Sequence, residues 1–337
     1  MESLRIPYDK IHTLLGGILE DKGFTPERAM ACARLFVNAD RDGVYSHGIN
    51  RFLLFLDYIA RGIVKIDQSP IRLDGFGFFE RWDGQRGPGN LNADFGMGRA
   101  IALAGIHGMG CVALQNTNHW MRGGNVGWQA ADAGCISIAF TNTKPNMPAW
   151  GGAEPRLGNN PLIVGIPRKK GPVVLDMAMS QFAYGKLANY AKRGEQAPHF
   201  AGFDSEGKLS KSPTEIIQNE LALPAGMWKG AGLSLVLDML ASILSGGDAT
   251  HQVGSTGDET GLSQAFFAID PVKLGLVNWM EEKADSILEN LKASKTFDQQ
   301  EIRYPGEQTL KTRKENMELG IPVDPSVWEQ LKNQFNI

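Results

Sequence analysis

Apolar residues at the start of the chain recur with a helical period. Ile11, Leu14, Leu15 and Ile18 predict a helix over 7–20 that Gly23 ends. Thr25 and Pro26 have the chemistry of an N-cap and a first helical residue. Ala29, Cys32, Ala33, Phe36 and Val37 then mark one apolar face up to about residue 42. A third helix, 51–61, is apolar on nearly every side, which places it in a core or at a subunit interface. From residue 66 the period shortens. Segments 70–73 and 78–82 have strand composition around Asp74-Gly75 turn chemistry, and an Ala/Gly/Met-rich helix runs from Pro88-Gly89-Asn90 to about 107. Further strands are predicted at 111–114, 136–141, 161–166, 172–177 and 264–269, the third and fourth of these forming a hairpin around Lys169-Lys170-Gly171. Helices are predicted at 124–133, 180–192 and 232–244. Residues 194–227 read as loop, and the chain from Pro271 onward is charged and helical. Strands and helices mixed so irregularly, between helical ends, predict an α+β fold rather than a regular doubly wound sheet.

Composition narrows the class. Of 337 residues, 42% are hydrophobic and 21% charged, which excludes a disordered chain. A formal net charge of −3 argues against nucleic acid as a partner. No uninterrupted run of about 18 apolar residues suggests a membrane span, and the first ten residues lack a signal-peptide core. Three cysteines without CxxC spacing (Cys32, Cys111, Cys135) read as reduced, buried thiols of a cytoplasmic protein. Glycine is in excess, 40 of 337 residues, or about 12% against a usual 7%, which points to many turns and close backbone approaches. Even so, no glycine pair completes GxGxxG, Gly185-Lys186 is followed by Leu187 rather than the Ser or Thr of a P-loop, and neither HExxH nor GxSxG occurs. The histidines have no paired metal-ligand spacing, so no metal is expected.

Five segments can carry chemistry. His47 and Arg51, four residues apart, would share a helical face if Gly48 lay in the first turn of the third helix. An arginine grips a carboxylate with paired hydrogen bonds, and a histidine can protonate the oxygen of a neighbouring ketone. The same spacing also suits a solvated helix junction. Asn116 to Gly124 lies between a strand and a helix, where Asn118 and His119 can meet a polar substrate or simply build a turn. Gly158-Asn159-Asn160-Pro161, Leu175 to Ser180 with Ser180 as an N-cap, and Met227 to Gly232 each suit a phosphate or ribose, or plain turn chemistry.

Taken in chain order, Ser46-His47-Gly48-Ile49-Asn50-Arg51, Asn116 to His119, Ala149 to Gly152, Gly158 to Pro161, Leu175 to Ser180, Leu223 to Leu235 and Arg303 to Glu307 form seven ordered motifs. With them the chain resembles, over nearly its whole length, the malate/L-lactate dehydrogenase family that lacks a Rossmann fold. Val44 to Phe52, Asn118 to Gly124 and Gly226 to Gly230 are most similar to members that reduce a sugar-derived diketo acid. The resemblance implies an α+β, non-Rossmann, nicotinamide-binding domain with a mixed or antiparallel sheet (69–284). Residues 1–68 with 285–337 would form a helical substrate and dimerisation domain of a homodimer. It implies reduction of a small 2-keto acid to the 2-hydroxy acid, with hydride from NADH (NADPH being the other candidate) and the proton from His47. Arg51 would hold the carboxylate. His119 would line the substrate pocket or act as the acid/base, and Ser46 and Asn118 would flank the substrate. Val174, Leu175, Asp176, Met177, Ala178, Trp228, Lys229, Gly306, Glu307 and Gln308 would contact the dinucleotide. Malate-, lactate- or ureidoglycolate-type dehydrogenation and cyclic-imine carboxylate reduction are the alternatives on this scaffold. The chain departs from the family pattern at Asn159, where Thr is usual, and has Lys144 where diketo-acid reductases carry an apolar residue and ureidoglycolate-type enzymes can carry lysine.

Overall fold

The computed structural model describes residues 4–297 and 300–335. Its helices are α1 (Tyr8–Asp21), α2 (Pro26–Arg41), α3 (Ile49–Ala60), α4 (Gly89–His107), α5 (Gly124–Asp132), α6 (Tyr184–Lys192), α7 (Pro213–Asn219), α8 (Trp228–Ser245), α9 (Thr250–Val253), α10 (Val277–Lys292), α11 (Glu307–Leu319) and α12 (Pro325–Phe335). The strands are β1 (Leu4–Ile6), β2 (Ile71–Phe76), β3 (Phe79–Asp83), β4 (Met109–Asn118), β5 (Ile136–Thr141), β6 (Met147–Pro148), β7 (Pro155–Leu157), β8 (Leu162–Ile166), β9 (Val173–Met177), β10 (Gly202–Phe203), β11 (Leu209–Ser210), β12 (Thr260–Ile269) and β13 (Ile321–Val323).

The helical ends share one apolar cluster. Ile11, Leu15, Phe36, Phe52 and Phe55 pack with Trp328 and Leu331 from the C-terminus, and β1 pairs antiparallel with β13 to close it. These two strands escape the sequence pattern because three residues are too few to display a period of two. In the middle, seven strands form one sheet in the order β2-β3-β4-β12-β5-β8-β9. Only β3 and β4 run parallel. Antiparallel neighbours need no helical crossover, so helices fall irregularly between strands, as the α+β expectation required. Alternation on the central strand β12 serves two cores. Phe266 and Ala268 pack with Met97 and Ala100 of α4 and Val126 of α5, whereas Ala265 packs with Leu237 and Ala241 of α8.

Several expectations are corrected. Asp74-Gly75 lies inside β2, at a register irregularity, and the chain reverses at Gly77, whose φ of +52° suits glycine. Residues after β9 do not start a helix at Ser180. The Met179 amide donates to the Asn159 carbonyl and Ser180 bridges Pro224, so the segment stays extended and α6 begins at Tyr184. The 194–227 stretch holds the β10–β11 hairpin and α7. Among the described residues α8 is long and apolar enough by composition to cross a bilayer, although Gly and Ser interrupt its apolar residues. One side of it packs on the sheet through Leu237 and Ala241. All three cysteines are buried free thiols, as expected.

Candidate active site

A cavity of about 1010 Å³ opens between the α2–α3 junction, the β4–α5 loop, β9, the start of α6 and the approach to α11. Ser46, His47, Arg51, His119, Val174, Leu175, Asp176, Ala178 and Gly306 all line it. His47 and Arg51 do not share a helical face. Tyr45–His47 is a separate 3₁₀ turn, Gly48 is the N-cap, and Arg51 sits in the first turn of α3. The chain kinks at Gly48 because the buried Asp40 carboxyl fills the space beneath it. A Cβ there would lie 2.0 Å from an Asp40 oxygen, and Asp40 Oδ2 accepts the Ile49 amide at 2.7 Å.

The two imidazoles are stacked, with centroids 6.0 Å apart and planes at 20°. Their surroundings differ. His119 Nδ1 accepts the Met121 amide at 3.0 Å, which fixes it as the acceptor nitrogen and leaves Nε2 to carry the proton. His47 Nδ1 faces the Ser46 hydroxyl at 2.8 Å, a group that accepts or donates by rotating. Enclosure pushes the His47 pKa down to about 3, and the nearby His119, Arg51 and Arg122 add to this against a smaller opposing pull from Glu259. His119 is likewise pushed down to about 3 by enclosure and by Arg51.

Charged groups surround this pair. Arg51 Nη2 lies 3.9 Å from Glu259 Oε2. Lys144 Nζ meets Glu220 Oε1 at 2.6 Å. Arg122, 3% exposed, donates to Asp42 Oδ2 at 2.5 Å, and the same carboxylate accepts from Arg41 and Arg313. Burial would raise the Asp42 carboxyl, but Arg313, Arg122 and Arg41 together hold it far below the usual range. On β9, Asp176 Oδ2 accepts the Gly124 amide of the β4–α5 loop at 2.8 Å.

Six residues singled out from the sequence do not line the cavity of this chain: Asn118, Met177, Trp228, Lys229, Glu307 and Gln308. Asn118 is buried and acts as a strut. Its Nδ2 donates to the carbonyls of Arg86 and Gly87, and its Oδ1 accepts from Thr260, which fixes the position of His119. Trp228 is 62% exposed at the start of α8. Glu307 pairs with Lys292 at 2.6 Å, and Gln308 donates to Thr312. Sequence reasoning assigned no role to Arg122, which lies within the Asn116 to Gly124 segment, or to Lys186, Tyr184, Glu220 and Glu259, all of which line the cavity. Of the last three, Glu259 carried a signal, as an acidic residue in a Gly-Asp-Glu-Thr-Gly run ahead of an apolar strand.

Residues 6–332 match the malate/L-lactate dehydrogenase family. The chain belongs to that family. The 2,3-diketo-L-gulonate reductase of Escherichia coli K12 is 43% identical over 332 residues, covering 98% of this chain and 99% of the relative. Among solved structures, malate dehydrogenase from Entamoeba histolytica superposes with a TM-score of 0.93 at 26% identity, covering 100% of this chain and 99% of the other. Sulfolactate dehydrogenase from Methanocaldococcus jannaschii gives 0.90 at 28% identity, with 99% and 97% covered. A malate/L-lactate dehydrogenase relative of this kind is an oxidoreductase acting on CH–OH groups and their keto-acid counterparts, and the family implies a nicotinamide cofactor. The residues present fit such a group. β9 is the sheet's edge strand, and Val174, Leu175, Asp176 and Ala178 along it face the cavity. An edge strand offers alternating backbone donors and acceptors, which a carboxamide matches. Gly306 stands beside it, with the Pro305 carbonyl accepting the Val174 amide at 3.1 Å.

Proposed function

We propose that the protein is an NADH-dependent reductase of a 2,3-diketo-L-gulonate-like 2-keto acid, acting as a homodimer. The observation that carries this reading is the meeting of His47, His119 and Arg51 in one cavity that the β9 edge also lines. The dinucleotide, when bound along β9 and Gly306, supplies the two-electron reduction of the keto carbon. NADH is chosen over NADPH because Asp176, an acidic residue of the same cavity, would repel a 2′-phosphate brought against it.

Arg51 holds the substrate carboxylate through its paired donors. His119, fixed with its proton on Nε2, donates a hydrogen bond to the keto oxygen. His47 supplies the proton, because Ser46 can turn its lone pair or its hydrogen towards Nδ1 and so accommodate both charge states. In the free protein enclosure, with the cationic surroundings adding to it, keeps His47 neutral. A carboxylate bound on Arg51 offsets one of these repulsions and lifts the imidazole's proton affinity, so that charging of the acid accompanies substrate binding.

The homodimer is supported by α8. Leu235, Val236, Met239, Leu240 and Ile243 are exposed on it at 40–69%, a face that pairing with a second copy covers.

His47→Ala should lower kcat by about 10²–10⁴-fold while NADH affinity, read by fluorescence titration, stays near wild type. Wild-type turnover of this variant on the best of a panel of 2-keto acids would overturn the assignment. Cyclic imino acids in the same panel test the imine-reductase alternative.

A further inference from the structure

We propose that Glu259, Lys144 and Glu220, next to the Arg51 carboxylate anchor, form a second recognition wall for the rest of the substrate. The wall accepts a hydroxyl- and carbonyl-bearing chain and turns away a second carboxylate. The proposal rests on the reductase reading above and names the substrate class within it.

All three side chains line the cavity together with Arg51. They alternate in sign with it. Arg51 lies 3.9 Å from Glu259, too far for a hydrogen bond, so its donors remain open to a substrate carboxylate. Glu259 is only 13% exposed, so its charge is weakly screened. Lys144 is within electrostatic reach of both Glu259 and Glu220, which keep it charged against the cost of enclosure. Its contact with Glu220 is a full hydrogen-bonded ion pair at 2.6 Å. The backbone supports a functional reading of Glu220. This residue closes α7 in the left-handed conformation, φ +54°, where glycine is the usual occupant. A strained non-glycine residue whose side chain reaches a cavity is a mark of a site built for contact.

The chemistry of the wall follows from that arrangement. Before substrate binds, Arg51, Glu259, Lys144 and Glu220 sum to zero charge. One substrate carboxylate is matched by Arg51. A second carboxylate at this wall would need another cation, but Lys144 is committed to Glu220 and Arg122 to Asp42. It would also add negative charge to a wall that already carries Glu259 and Glu220. Hydroxyls meet no such penalty, since they donate to Glu259 or Glu220 and accept from Lys144. Selection therefore works by repulsion as well as by attraction.

The test uses the full-length protein with NADH and compares kcat/KM for 2,3-diketo-L-gulonate and for oxaloacetate in wild type, Glu259→Gln and Glu220→Gln. Wild type should prefer the sugar acid. Glu259→Gln should shift the ratio towards oxaloacetate by about tenfold or more, mainly through KM, because a like-charge contact is removed. Glu220→Gln should shift it the same way by releasing Lys144, and it decides the matter if Glu259→Gln does not fold. Ratios within about twofold of wild type in variants with unchanged thermal midpoints would overturn the wall. A wild-type preference for oxaloacetate would also overturn it while leaving the keto-acid reductase reading intact. Turnover of neither acid would sink both.

Discussion

In the proposed reaction, Ser46, His47 and His119 would divide the proton transfer through their hydrogen bonds. The Met121 amide commits His119 to one tautomer, and the Ser46 hydroxyl leaves His47 free to change charge. Both imidazoles are pushed down to about 3, so the folded protein binds their protons less readily than the unfolded chain, where histidine titrates near 6.5. Between pH 6.5 and 3 the unfolded state therefore holds more protons. The stability associated with the neutral rings is present above about pH 6.5 and is lost as pH falls towards 3. His119→Gln should accordingly lose less stability than wild type across that window, read as denaturant midpoints at a series of pH values. A parallel decline in the two proteins would contradict the environment assigned to His119. Asn118 carries the opposite lesson. It looked like a substrate contact beside His119, yet every partner it has is internal, because the strand end that presents His119 must itself be anchored.

At the scale of elements, the end of α2 organises the site. Asp40 receives the first amide of α3, and Asp42, two residues later, gathers guanidiniums from α2, the β4–α5 loop and α11. Three elements distant in sequence are thereby tied at one carboxylate. Asp42→Ala would leave the buried Arg122 charge unpaired, a loss of about 3–5 kcal/mol, measurable as a lower denaturant midpoint. An unchanged midpoint would show that Arg122 finds solvent. The helices and longer strands around this junction were legible in the sequence because periods of 3.6 and 2 are local. The break between His47 and Arg51 was not, since Gly48 is required by an Asp40 carboxyl that only the fold brings beneath it.

On the scale of the whole molecule, α8 links assembly to the fold. Leu237 and Ala241 bind it to the sheet, and the exposed Met239 and Ile243 lie on the side left uncovered. Ile243→Asp should convert the proposed dimer to monomer without unfolding the chain, because this side chain is 69% exposed and makes little contribution to the core. Sedimentation velocity together with circular dichroism checks this, and a monomeric wild type would refute the dimer. Trp228 and Lys229 begin this same helix and do not line the cavity of their own chain.

By itself, the sequence determined the α+β class, most helices and long strands, and the ordered motifs that place the chain among non-Rossmann dehydrogenases. Those features follow from short-range periodicity and from residue types in fixed order. Tertiary structure alone decided the strand order, the pairing of β1 with β13 and the charge of each imidazole. It also decided the grouping of residues 46, 47, 51, 119, 144, 174–176, 178, 220, 259 and 306 around one cavity. These depend on contacts between residues tens to hundreds of positions apart, and on the desolvation that such contacts impose, neither of which is encoded in local spacing.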